Sequence, residues 1–141
     1  VPVGPGKTAL KNGQFITSIF LPARPANSGD CYLRFTPRTE MDIAVSSAAV
    51  SLALDDAGVV TEARVALGAV APTVRHVPDA GAALVGTKLD DDAIASLVAA
   101  AEAACSPITD KRGTVAFRRT TAGVLAKRAA RIAYSRAGGQ S

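Results

Sequence analysis

The sequence predicts an α+β fold, in which an antiparallel sheet of three to four strands is packed with a small bundle of about three helices. Stretches of alternating residues come first along the 141-residue chain, and stretches with helical spacing of apolar residues follow them. The chain is 48% hydrophobic and 20% charged, which supplies one proper core. Strands followed by helices, around one core, indicate a single α+β domain.

The strands are predicted from alternation and from the prolines that interrupt it. Residues 14–21 are predicted to form a first strand with apolar residues on both faces, and Pro22 ends it. A second strand opens at Tyr32 and breaks at Pro37, and an apolar strand resumes at Ile43. The intervening residues are therefore predicted to connect strands across the surface.

A hairpin around Asp55–Gly58 follows, with Gly58 supplying the positive φ that such turns require. Ser47 and Ser51 lie opposite the apolar face of its first strand, so that strand is predicted to be half-buried. The residues predicted to face the core are Ala48, Val50, Leu52 and Leu54 on the first strand, and Thr61, Ala63, Val65 and Leu67 on the second.

Three helices complete the prediction. A short helix spans 79–85, and a second begins at 90–92, where aspartates satisfy free N–H groups, and stops before Pro107. The third runs over 114–137 and contains Gly123, which costs about 1 kcal/mol relative to Ala unless close packing requires it. The predicted inward residues are Ile94, Leu97, Val98, Ala101 and Cys105 on the second helix, and Leu125, Ala129, Ile132 and Ala133 on the third.

Several classes of site are not supported by the sequence. Cys31, Cys105 and a single histidine, His76, cannot assemble a zinc or iron–sulfur site, and both cysteines are interpreted as free thiols in a reducing, cytoplasmic location. The apolar stretch 93–105 is too short to span a bilayer. The glycines and lysine at 4–8 lack the upstream glycine of a phosphate-binding loop.

The net charge of +4 arises mainly near the C-terminus. These basic residues are not interleaved with aromatic residues, so a solvated face or an acidic partner is favoured over nucleic acid. One candidate function is therefore a non-enzymatic interaction domain whose basic C-terminal helix docks an acidic partner. The basic residues are Lys111, Arg112, Arg118, Arg119, Lys127, Arg128, Arg131 and Arg136.

The segment from Tyr32 to Ala44 mixes aromatic, cationic and acidic residues that ordinary packing does not require. One interpretation is an exposed loop in which Arg38 and Asp42 form a weak surface ion pair. The other is a loop covering an aromatic, electron-accepting ligand supplied by another domain, with Tyr32 stacking and Arg34 and Arg38 stabilising negative charge. No pairing of a nucleophile with a base is visible, so the chain is incomplete as a free-standing enzyme.

Short motifs in a fixed order resemble the C-terminal domain of the FAD-binding (medium) subunit of the carbon monoxide dehydrogenase and xanthine dehydrogenase family, the molybdenum hydroxylases. The motifs cover nearly the whole chain. They are Gly4–Thr8, Gly13–Ile19 with Pro22, Tyr32–Phe35 with Arg38 and Asp42–Ala44, Glu62–Gly68 with Ala71–Thr73, and Asp110–Arg112 with Phe117–Arg119.

The resemblance implies a domain organisation and a set of partners. Residues 1–13 are expected to link to a missing N-terminal FAD-binding domain, 14–137 to form the flavoprotein C-terminal domain, and 138–141 to form a tail. The FAD would be shared with that N-terminal domain. Two-iron two-sulfur clusters in a small subunit and molybdopterin in a large subunit would supply electrons, and the whole complex, rather than this chain alone, would be the oxidoreductase.

The resemblance also implies which residues bind the cofactor. Ile16 is expected to touch the flavin, Tyr32 to shield its ring, and Arg34 and the loop from Arg38 to Asp42 to lie beside it. A cation there favours the anionic reduced flavin and raises its potential. The arginines of the last motif, which include Arg118, are expected to stabilise the fold or to contact partner subunits.

Overall fold

Two antiparallel sheets and three helices make up the computed structural model, which describes residues 2–39 and 42–139. The predicted α+β class is confirmed. The elements are β1 (Pro2–Gly4), β2 (Lys7–Thr8), β3 (Ser28–Phe35), β4 (Ser46–Leu54), β5 (Val60–Gly68), β6 (Arg75–His76), α1 (Pro78–Ala82), α2 (Asp91–Ala103) and α3 (Val115–Arg136). Parts of the predicted linker (Val1), loop (Glu40 and Met41) and tail (Gln140 and Ser141) lie outside the described residues.

The main sheet has four strands in the order β3-β4-β5-β6, and β1 and β2 form a separate two-stranded sheet. Alternation sorts the residues of the main sheet onto two faces. The face beneath the helices carries rows of paired apolar residues, such as Cys31, Val50 and Val65. The opposite face carries small or polar residues, such as Ala49 and Ala66, and no helix of the described residues covers it. We call this second surface the open face.

The hairpin joining β4 and β5 is confirmed, with Gly58 at φ 79° in its turn. The prediction that Thr61 faces the core is wrong. Leu54 pairs with Val60 and the preceding Ala53 pairs with Glu62, so Thr61 is an extra residue in a β-bulge. The bulge shifts the alternation by one residue, and the buried position belongs to Val60.

The strand predicted at residues 14–21 is absent, and no regular element spans 14–25. Its apolar side chains are exposed, Phe20 by 87%. A single extended segment has no partner for its backbone N–H and C=O groups, so alternation alone does not make a stable strand. The prediction was wrong because this segment has no neighbouring strand in the described part of the chain.

The strand predicted to resume at Ile43 begins instead at Ser46, and Ile43 is 64% exposed. The backbone N–H of Val45 donates to the carbonyl of Phe35 at 2.9 Å, which closes the base of the intervening loop. Ser47, predicted to lie on an exposed face, is buried because it lies directly across from Gly68, where a Cβ would come within 2.5 Å of its Oγ.

Helices α2 and α3 each follow a residue whose side chain caps the first turn, and the cap of α2 was predicted. Asp90 accepts a hydrogen bond from the N–H of Ala93 at 2.9 Å, and Thr114 accepts one from Phe117 at 3.1 Å. Each cap satisfies an N–H group that the first turn leaves without a partner.

Helix α3 packs closely on α2 and on the sheet because alanines and glycines line its contacts. At Gly123 a Cβ would lie 3.0 Å from Cγ1 of Val98, so the close packing required at this glycine is present. The prediction that Ile132 faces inward is wrong, since it is exposed. The fully buried alanines of α3 are Ala122, Ala126, Ala129, Ala130 and Ala133.

The structure also bears on the cysteines, on metal binding and on membrane-spanning helices. Cys31 and Cys105 are both free and buried. In the described ranges, no group of three or more potential ligands is arranged to hold a metal ion. The helices of residues 2–39 and 42–139 include none with the length and apolarity that crossing a membrane requires.

Candidate functional site

The loop that follows β3 is held at its two described ends by the carboxylate of Asp42. This side chain is only 5% exposed. Its Oδ1 accepts hydrogen bonds from the N–H of Ile43 at 2.8 Å and from Nε of Arg112 at 3.3 Å. Its Oδ2 accepts one from the N–H of Arg38 at 3.2 Å and lies 3.8 Å from Nε of the same residue. One carboxylate therefore gathers both ends of the loop and a side chain from 70 residues away.

These donors keep the Asp42 carboxyl ionised. Burial by itself raises the pKa of this group, but the hydrogen bonds from Ile43, Arg112 and Arg38, together with the charge of Arg38, outweigh the effect of burial. The pKa of Asp42 consequently lies below its ordinary value. At neutral pH the carboxylate is an acceptor only, which suits the donors that surround it.

Arg112 is itself fixed by a tight turn before α3. The N–H of Asp110 donates to the carbonyl of Gly113 at 3.1 Å, and the N–H of Gly113 donates back at 3.2 Å. Oδ1 of Asp110 accepts the N–H of Arg112 at 2.8 Å and Nη2 of Arg118 at 2.7 Å. The hydrogen bond from Arg118 is the largest cause that lowers the pKa of Asp110. The turn is thus tied to the first part of α3.

Arg118 anchors the whole arrangement to the sheet. It is 4% exposed, and its Nη1 donates to the carbonyl of Val45 at 2.9 Å and to that of Ala69 at 3.4 Å. These carbonyls lie just before β4 and just after β5. A buried guanidinium is tolerated where acceptors and a counter-charge face it: Nη1 and Nη2 have acceptors, Nε has none among the described residues, and Asp110 supplies the charge. The expectation that this arginine stabilises the fold agrees with these contacts.

We call Arg38, Asp42, Arg112, Asp110 and Arg118 the loop relay. Its members alternate in charge, from an exposed cation at one end to a buried cation at the other. The Arg38 side chain, at the outer end of the relay, is 68% exposed. Nearby, the rings of Phe35 and Phe117 meet edge to face with centroids 6.0 Å apart, which packs the end of β3 against α3.

The other predicted site residues lie apart from the relay. Tyr32, which is 62% exposed, and Arg34 project from β3 on the open face, opposite Ala49 and Ser47. Ile16 is exposed in the segment that precedes β3. Among the described residues, no hydrogen bond or ion pair joins Tyr32 or Arg34 to Asp42. The structure therefore brings Arg38 and Asp42 together, and Tyr32 and Arg34 onto one face.

Two cavities lie on the open face, of about 720 and 450 Å³. Tyr32 and Arg64 line the smaller one, and neither cavity is lined by Arg38 or Asp42. The candidate residues face outward rather than into an enclosed pocket. This arrangement fits one wall of a site for a planar, electron-accepting group, with exposed cations and an aromatic ring.

Sequence reasoning missed the connection between Arg112 and Asp42, although it singled out both residues. The available signal was local: Asp110, Arg112 and Arg118 place opposite charges around Gly113, as expected at a turn before a helix. That pattern favours the ion pair of Asp110 with Arg118. It carries no information about a partner far away in the sequence.

The fold defines a class of structure: an α+β domain whose candidate site residues lie exposed on the open face of the sheet and in the loop after β3. Comparisons with known proteins agree with this description. Residues 32–133 match the family model described as the CO dehydrogenase flavoprotein C-terminal domain. The chain belongs to this family, which confirms the resemblance seen in the sequence.

The chain is similar to two curated relatives. It is 38% identical to the carbon monoxide dehydrogenase medium chain of Afipia carboxidovorans, over 92% of this chain and 44% of that protein. It is 30% identical to the nicotine 6-hydroxylase medium subunit of Paenarthrobacter nicotinovorans, over 82% and 40% respectively. The chain therefore spans less than half the length of these relatives.

A solved structure gives the same result. Carbon monoxide dehydrogenase from Hydrogenophaga pseudoflava, in a form lacking the Mo-pyranopterin moiety of its cofactor, superposes with a TM-score of 0.89 at 33% identity. The match covers 95% of this chain and 46% of that one. The superposition extends beyond the residues of the family match, which begins at residue 32.

Proposed function

We propose that this chain is the flavin-covering C-terminal domain of the FAD subunit of a molybdenum hydroxylase. Residues 14–137 would form that domain, 1–13 the link to an N-terminal FAD-binding domain, and 138–141 a tail. When bound, FAD accepts electrons and passes them to an external acceptor. This chain would contribute one wall of the flavin site and the electrostatics of that wall.

Each candidate residue has a role that its exposure allows. Arg38, with its guanidinium held outward beside Asp42, would favour the negative charge that develops on the isoalloxazine ring. Tyr32 and Arg34, on the open face, would shield the ring and add a second cation. Ile16, exposed before β3, would supply an apolar contact.

A single observation carries the proposal: the carboxylate of Asp42 has a side chain only 5% exposed and accepts three hydrogen bonds, although it lies in a surface loop. A surface ion pair contributes little stability and needs no such arrangement. Fixing a loop at both ends is useful where an exposed cation must hold one position relative to a ligand. In a chain of the CO dehydrogenase flavoprotein family, the flavin is the ligand that fits.

The partners follow from this assignment. A small subunit with two-iron two-sulfur clusters would deliver electrons that originate at molybdopterin in a large subunit, in a cytoplasmic complex. The relatives named as medium chains and medium subunits support this organisation.

Flavin fluorescence and redox titration test the proposal. The full-length flavoprotein containing this chain should hold FAD, and Arg38→Gln should lower the midpoint potential because a cation near the reduced flavin is lost. Arg128→Gln, which removes an exposed cation from α3, is the matched control and should leave the potential unchanged. An unchanged potential in Arg38→Gln would refute the electrostatic role of the loop.

The alternative function, docking of an acidic partner by the basic helix, has one supporting observation. Arg131 is half-exposed and lies 4.0 Å from the exposed Asp91, so the ion pair between them is weak. Arg128 is exposed on the same helix. Charge reversal at both positions should weaken docking of an acidic partner without altering the flavin potential, and the loop variants should do the opposite.

A further inference from the structure

We propose that Arg118 is a positioning residue that fixes the exposed guanidinium of Arg38 through the loop relay, and so sets the flavin potential without touching the flavin. The effect on the flavin rests on the proposed function, whereas the positioning of the loop does not. The evidence is the unbroken series of contacts from Arg118 to Asp110, Arg112, Asp42 and Arg38.

The inner end of the relay is rigid. Arg118 is buried and joins the carbonyls of Val45 and Ala69, so it is held next to the ends of two strands of the sheet at once. The fork of the guanidinium directs Nη1 to these carbonyls and Nη2 to Asp110. Lysine, a single charged point on a flexible stem, cannot serve both groups in the same geometry.

The middle of the relay, Asp110 and Arg112, connects Arg118 to the loop. Oδ1 of Asp110 receives both Arg118 and the backbone N–H of Arg112, so the start of the Arg112 side chain is fixed relative to α3. Arg112 then reaches Asp42, the carboxylate that binds the backbone of Arg38. Losing the contact of Arg118 with Asp110 would free the turn, and with it the alignment of Arg112 toward Asp42.

The relay also explains why the loop needs a carboxylate at position 42. Oδ1 of Asp42 faces Arg112, while Oδ2 faces Arg38. Movement of Arg112 therefore alters the same group that orients Arg38. If Arg118 served only the stability of the core, the contact of Arg112 with Asp42 would not be needed.

The test uses the full-length flavoprotein with FAD bound and the variant Arg118→Lys. This substitution keeps the positive charge, so a change in flavin potential cannot come from loss of the charge of Arg118. We expect a lower midpoint potential, with about a tenfold smaller ratio of reduced to oxidised FAD at a fixed applied potential, or about 30 mV for a two-electron couple. The double variant with Arg38→Gln should match Arg38→Gln alone, because Arg118 acts through Arg38.

Hydrogen exchange gives a readout that does not depend on the flavin. The N–H groups of Arg38 and Ile43 both donate to Asp42, so their exchange should be about tenfold faster in Arg118→Lys. Arg75→Met, which removes an exposed cation from β6, should change neither exchange nor potential. If Arg118→Lys does not fold, Arg112→Met interrupts the relay at a side chain that is 34% exposed and carries the same expectations.

The outcomes separate the two proposals. If Arg38→Gln lowers the potential but the relay variants do not, the role of Arg118 in setting the potential is refuted and the proposed function stands. If Arg38→Gln has no effect but exchange at Arg38 and Ile43 accelerates in the relay variants, the proposed function fails while the positioning of the loop is supported. Unchanged exchange in Arg118→Lys and in Arg112→Met refutes the relay itself.

Discussion

Replacing Gly29 with alanine should separate β3 from α3. Gly29 lies on the helix side of the sheet, where a Cβ would approach within 2.8 Å of the backbone N of Ala137 and closer still to the carbonyl oxygen of Ala133. Backbone atoms cannot rotate away as a side chain can, so the helix must move. Overpacking of this kind costs typically 1–3 kcal/mol, and we expect the upper end, about 3 kcal/mol.

Thermal unfolding followed by circular dichroism measures this effect. For a domain of this size, about 3 kcal/mol lowers the Tm by about 10 °C. The matched control is Gly4→Ala, because a Cβ at Gly4 would meet nothing within 4 Å, and its Tm should stay within about 2 °C of the wild type. If Gly29→Ala unfolds at the same temperature as the control, the close contact between β3 and α3 does not limit stability, and the reasoning is refuted.

Three further predictions concern polar side chains. Tyr134→Phe should cost about 1 kcal/mol in urea unfolding, because the hydroxyl donates to the carbonyl of Gly58 at 2.7 Å, and an unchanged midpoint would contradict this. Burial raises the pKa of the Cys105 thiol, so it should react with a disulfide reagent at pH 8 only after unfolding, and rapid native labelling would argue against the buried position. The lowered pKa values of Asp42 and Asp110 stabilise the fold fully above the ordinary value of 3.8, and this contribution is lost as pH falls toward the folded values. Stability should therefore fall less steeply in Asp110→Asn than in the wild type as the pH is lowered below about 3.8, and equal slopes would count against the assignment.

The hairpin and the longer helices could be predicted because their signals are local. Gly58 marks a turn because the backbone there needs a positive φ. The aspartates from Asp90 onward mark a helix start because their side chains can accept hydrogen bonds from the free N–H groups of the first turn. Thr61 was assigned to the wrong face because a bulge shifts the alternation of buried and exposed residues by one position. The sequence pattern does not show where such a bulge occurs. The prediction of a strand at 14–21 failed for a different reason. A strand needs a neighbouring strand to pair with, and the periodicity of a segment carries no information about its neighbours.

The site was predictable in part for the same reason. Arg38 and Asp42 stand four residues apart, so their contact is local, and the pairing of Asp110 with Arg118 is nearly so. The contact of Arg112 with Asp42 spans 70 residues and depends on how α3 crosses the end of the sheet. Only the packing of α3 on β3 and β4 brings those residues together. The cofactor roles of Ile16, Tyr32 and Arg34 stay predictions.

The alanine-lined face of α3 limits the entropy that the domain loses on folding. An alanine side chain has no rotamers, so the alanines of this face lose no side-chain entropy on packing. Between Arg118 and Tyr134 the helix rises about 24 Å, and these two side chains attach to opposite ends of β4, at Val45 and at the turn of Gly58. Helix α3 is therefore joined to both ends of β4, at Val45 by Arg118 and at Gly58 by Tyr134.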